Sequence, residues 1–72
     1  MPLKEKDLRK VTFPAPSENL TSLINKYFAK RYLDKQTDKT LEELEDLMED
    51  EGFDSEWLEL MYDRWAQEQP AK

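Results

Sequence analysis

The chain has 72 residues, a formal net charge of −6, no cysteine and no histidine. That length allows one small domain, and the missing residue types exclude disulfides, thiolate chemistry and imidazole acid–base catalysis. An active site built from carboxylates alone needs a sheltered cleft to shift a pKa, and so short a chain has little interior, so it reads as non-enzymatic, with no cofactor.

Residues 1–16 read as an extended basic arm. Pro2, Pro14 and Pro16 punctuate it, and Lys4, Lys6, Arg9 and Lys10 give it its charge. Leu3 and Leu8 suit one face of a brief helical turn, and Val11-Thr12-Phe13 is too short to stand alone as a strand. Pro14-Ala15-Pro16 favours a polyproline conformation.

The rest of the chain, residues 17–69, reads as a three-helix domain. Ser17 is placed to cap the first helix with its hydroxyl, and Glu18 sits where the helix dipole favours an anion. Leu20, Leu23, Ile24, Tyr27, Phe28 and Tyr32 then recur at helical spacing to about residue 34. Arg31 falls near the centre of that apolar face. It is expected to snorkel or to pair with a carboxylate of the acidic half.

After a polar connection, Thr40 and Glu43 form a capping-box pattern ahead of Leu41, Leu44 and Met48, which predicts a second helix over 40–51. Gly52 is the residue best able to take a left-handed cap, with Phe53 and Met48 placed for the hydrophobic contact of a Schellman ending. Asp54 or Ser55 caps a third helix over 55–68, stopped by Pro70. Its apolar residues, Trp57, Leu58, Leu60, Met61, Tyr62 and Trp65, fan over about 200° of circumference. One neighbouring helix covers less than that. Part of the aromatic face is therefore expected to stay open for a partner, with at least one of Trp57, Tyr62 and Trp65 substantially exposed. The predicted fold is all-α: a small three-helix bundle with an extended N-terminal arm, and a tight hairpin between the last two helices.

Charge divides the chain. Residues 1–36 carry +4 and residues 37–72 carry −10. The two halves either attract each other within one fold, solvate two faces, or meet different partners. The acids do not make a calcium loop. With Gly52 at the sixth position of an EF-hand, Leu47 and Leu58 take the first and twelfth, and leucine is no ligand. No metal is expected. Nor is a membrane span, because no apolar run approaches about 18 residues. The lack of cysteine and of an apolar N-terminal stretch suggests a cytoplasmic setting.

The order of a short strand and two helices, with Lys10-Val11-Thr12-Phe13 before the first helix, resembles the ribbon-helix-helix DNA-binding proteins over roughly residues 9–51. The resemblance implies a dimer whose paired strands enter the major groove, with Lys10 and Thr12 in the base-reading positions. A basic DNA-binding half followed by an acidic, aromatic partner-binding half also resembles the plan of bacterial antitoxins. Against it, Pro14 and Pro16 interrupt the strand's entry into its helix, and the second helix is densely acidic.

The favoured reading is a non-enzymatic protein-binding module, an adaptor or inhibitor of a larger protein. Its contact surface is the aromatic side of the third helix: Trp57, Met61, Tyr62 and Trp65. Nucleic acid is disfavoured as a partner, and a homodimer is left open. The alternatives are a small DNA-binding regulator of antitoxin type, using Lys10 and Thr12, and a structural subunit of a larger assembly.

Overall fold

Three helices are built because each has a start signal, an apolar stripe and a stop. In the structure, a computed structural model that describes residues 5–70, they are α1 (Glu18–Tyr32), α2 (Asp38–Glu51) and α3 (Ser55–Gln67). A single 3₁₀ turn, Glu5–Asp7, precedes them. The fold is all-α, with no strand among the described residues. Leu3 and Lys4 of the arm lie outside them.

The Ser17 hydroxyl caps α1 by accepting from the Leu20 amide at 3.2 Å. The same hydroxyl donates to Glu51 Oε2 at 2.6 Å, and the Ser17 amide donates to Glu51 Oε1 at 2.9 Å. One acid of α2 is thus placed at the N-terminus of α1, where the dipole favours it. At the other end of α1, Asp34 takes a left-handed φ of 61°. Lys35 N donates to Lys30 O at 2.8 Å and Asp34 N to Arg31 O at 3.1 Å, the paired bonds of a Schellman ending. Asp34 does there what glycine usually does.

The start of α2 differs from the capping-box expectation. Thr37, not Thr40, precedes the helix, and its side chain makes no capping bond. Thr40 lies one turn in and is buried, where its hydroxyl accepts from Lys30 Nζ at 3.1 Å. Starting at Asp38 places an acid in the first turn and turns Thr40, Leu44 and Met48 together onto the core. The end of α2 follows the sequence. Gly52 has φ 86°, Phe53 N donates to Met48 O at 2.8 Å, and Gly52 N donates to Glu49 O at 3.3 Å. Asp54 then caps α3, accepting from the Trp57 amide at 2.8 Å.

The main helix contacts are those of α1 with α2 and of α1 with α3, so α1 is the spine. The tight α2–α3 hairpin expected from the short loop gives way to two helices that each lean on α1. Leu20, Ile24 and Phe28 of α1 meet Leu44 and Met48 of α2 and Leu58 and Trp65 of α3 in one core.

The N-terminal segment reaches into that core at Phe13, with Leu8 and Val11 packed against it. Phe13 is 3% exposed and packs edge-on against Phe28, with centroids 5.9 Å apart. Nor does Pro14-Ala15-Pro16 form a polyproline run, because Ala15 has φ 82°. The chain must turn between Phe13 in the core and Ser17 on the cap, and a left-handed residue turns it. Residues 8–16 thus form a strap across the bundle, with Leu8, Val11 and Phe13 on its inner side.

Candidate functional site

The third helix carries the residues singled out by sequence, and its surroundings decide which of them can meet a partner. Leu58 and Trp65 face α1 and are buried. The Trp65 ring lies among Phe28, Tyr32 and Tyr62, at centroid distances of 5.7, 5.6 and 6.2 Å. Its indole N–H donates to Asn25 Oδ1 at 2.9 Å. Trp65 is 1% exposed, so its assignment to a contact surface is corrected: it is core.

On the next shoulder of the helix, Trp57 sits 4.2 Å from the Phe53 ring and 6.5 Å from Phe13, centroid to centroid. The strap therefore supplies the second neighbour that the broad apolar arc requires. None of Trp57, Tyr62 and Trp65 is substantially exposed: Trp57 and Tyr62 are half-buried and Trp65 is buried. That expectation fails because the N-terminal residues, read as an arm, cover one edge of α3 while α1 covers the other.

What remains open is Leu60, at 61% exposure the large apolar side chain most at odds with its setting among the described residues. It lies beyond Trp57 on the side away from α1, with half-buried Met61 beside it. The sequence carried this signal, since Leu60 stands at the outer limit of the arc. Only the position of the strap shows that cover stops short of it.

Tyr62 belongs to a different surface. Its ring lies 5.2 Å from Phe28 and carries the Arg31 guanidinium 4.1 Å above its centroid. Arg31 Nη1 also donates to Glu59 Oε1 at 3.0 Å. The pairing of Arg31 with a carboxylate of the acidic half is thereby met. The bond to Glu59 raises the Arg31 pKa further, against an opposing effect of burial. Burial raises the Tyr62 phenol above its ordinary value, and the Arg31 cation opposes that rise.

Lys10 and Thr12 are both exposed and line one shallow recess on the strap. Between them, Val11 is held from within the chain. Its amide donates to Asn25 Oδ1 at 2.9 Å and its carbonyl accepts from Asn25 Nδ2 at 2.8 Å. Arg9 is held in the same way by Gln69, through bonds of 2.6 and 3.0 Å. Two primary amides thus clasp alternate residues of the strap. A second recess of about 310 Å³ between strap and α1 is rimmed by Arg9, Lys10 and Lys26.

The acidic side has its own depression. Because α2 and α3 both lean on α1, a groove of about 460 Å³ opens between them. Tyr27, Met48 and Leu58 line its bottom, and Glu45, Glu49 and Glu59 stand along it. Among the described residues, no three acids come together as metal ligands would, and no helix is long and apolar enough to cross a membrane.

No protein-family model, curated protein or solved structure matches this chain.

Proposed function

We propose that the chain is a non-enzymatic, cytoplasmic protein-binding module, an adaptor or inhibitor that engages a larger protein through the outer face of α3. The observation that carries this reading is the 61% exposure of Leu60 beside half-buried Trp57 and Met61. Full burial of a leucine is worth about 1.5–3 kcal/mol, and a partner's surface can recover the part of it that Leu60 forgoes. An apolar centre with half-covered aromatic and thioether neighbours and a rim of charge is how interface hot spots are composed. Here the rim is Glu56, Asp63 and Arg64, all exposed.

The surface differs from the one expected by sequence. Leu60 joins Trp57 and Met61, while Trp65 leaves it for the core and Tyr62 for the Arg31 contact. A DNA-binding role is less well supported. A ribbon needs the backbone groups of its strand for a second copy, and those of Arg9 and Val11 are occupied by Gln69 and Asn25.

The test is affinity capture from the source cell with wild-type and Leu60→Ser protein, read by mass spectrometry. Leu60→Ser should keep its stability within about 0.5 kcal/mol, as exposed changes do, and lose a partner that wild type retains. Identical capture by both proteins rejects this face.

A further inference from the structure

The groove between α2 and α3 is on the other side of α3 from Leu60 and does not depend on the reading of that face. Its apolar bottom, made by Tyr27, Met48 and Leu58, is continued by half-buried Leu41 and Phe53 towards its ends. Leu41 and Met48 are seven residues apart on α2, about 10 Å along its axis. That is the distance between the first and last anchors of a helix that places apolar residues at i, i+4 and i+7.

Charge says which kind of helix. The α2 segment carries eight carboxylates and one lysine. Glu45 and Glu49 stand one turn apart on the groove, and neither pairs with a cation among the described residues, whereas Glu59 across from them is already held by Arg31. Like charges at that spacing repel each other along a helix. A bound cation relieves that repulsion. The cations of the C-terminal turn of α1 are poorly placed to do so from a second copy. Lys30 and Arg31 bond to Thr40 and Glu59, and the apolar residues of α1 are consumed by the core.

We propose that this groove is a docking site for a basic amphipathic helix of another protein, its apolar residues on Met48 and Leu58 and its Lys or Arg residues against Glu45 and Glu49. The protein thereby has two separate contact faces, Leu60 on one side of α3 and the groove on the other.

The probe is a fluorescein-labelled synthetic peptide of about 18 residues, five helical turns, with leucines at i, i+4 and i+7 and lysines flanking them. Binding is followed by anisotropy to wild type and to two charge reversals on the same helix. Glu45→Lys with Glu49→Lys changes the groove, and Glu42→Lys with Asp46→Lys changes charge by the same amount outside it. The expected result is that the groove pair weakens binding by more than about tenfold and the outer pair by less than about threefold, since only close charge pairs couple strongly. A lysine-to-glutamate version of the peptide should bind the groove variant and not wild type.

Should the groove variant fail to fold, amide shift perturbations of wild type with the same peptide decide the matter. They should centre on Leu41, Met48 and Leu58. Three results overturn the proposal: no binding, equal losses from both charge reversals, or perturbations centred on Leu60. A wild-type dimer in sedimentation that Glu45→Lys with Glu49→Lys dissociates also overturns it, because a second copy then fills the groove. Leu60→Ser should leave peptide affinity unchanged, so the two faces stand or fall separately.

Discussion

The side-chain oxygen of Asn25 accepts from the Trp65 indole at 2.9 Å and from the Val11 amide at 2.9 Å, joining α3 and the strap to α1 through one atom. The Nδ2 of the same residue donates to the Val11 and Thr21 carbonyls. Asn25 is 7% exposed, and every polar atom of its side chain is used. A buried amide is tolerable only on those terms, because an unpaired polar group in the interior costs about 1–3 kcal/mol.

Asn25→Leu should therefore destabilise the fold by about 3 kcal/mol or more, since it leaves the Trp65 N–H and both Val11 backbone groups without partners. Chemical denaturation measures the loss. Hydrogen exchange at Val11 should accelerate more than at Leu44, whose surroundings do not involve the amide. An Asn25→Leu protein as stable as wild type would mean that packing, not this hydrogen-bonded junction, holds the strap.

The two left-handed helix ends predict opposite responses. At Gly52, with φ 86°, an added Cβ meets nothing within 4 Å, so Gly52→Ala should cost about 1 kcal/mol through backbone strain alone. At Asp34, with φ 61°, the strain is already present, and Asp34→Gly should stabilise by up to about 1 kcal/mol. Paired denaturation curves check both. A destabilised Asp34→Gly would mean that the carboxylate contributes more than its conformation costs.

The Arg31, Glu59 and Tyr62 cluster predicts an asymmetry. The ion pair is solvent-exposed, so Glu59→Gln should cost no more than about 1 kcal/mol, and less at high salt. Arg31→Ala should cost more than Glu59→Gln, because it also removes the cation from above the Tyr62 ring and the stem from the surface of α1.

The same cluster gives a pH dependence. The Tyr62 pKa is raised in the folded protein above its ordinary value of 10.0, so folding favours the neutral phenol. Its contribution is whole below about pH 10 and is lost as pH rises from there through the folded pKa. Denaturation at about pH 8 and pH 11 should show a decline that is smaller in Tyr62→Phe. An equal decline in both proteins would place the alkaline sensitivity elsewhere.

Local chemistry made most of the helical frame legible. The Ser17 and Asp54 caps, the Gly52 ending and the apolar stripes of α1 and α2 depend on contacts within about four residues, and those are written in adjacent letters. The pairing of Arg31 with the acidic half was also readable, because an arginine in the middle of an apolar face must find an acceptor or reach water. Where local signals competed, reading them failed. Thr40 looked like a cap, yet α2 begins at Asp38 and the Thr40 hydroxyl serves Lys30 from another helix.

The choice between core and surface on α3 was not local at all. Trp57, Leu60 and Trp65 differ little as letters on one apolar arc. Trp65 is buried because Asn25 is forty residues away in sequence and 2.9 Å away in space. Trp57 is half-covered because the strap crosses it, held at Arg9 by Gln69 across sixty residues. The groove beside Glu45 and Glu49 likewise exists only because two helices lean on a third. The sequence by itself determined the three helices and the charge each half carries. Tertiary structure decided which apolar residues are left to face a partner, because that depends on contacts between segments whose separation along the chain says nothing of their distance.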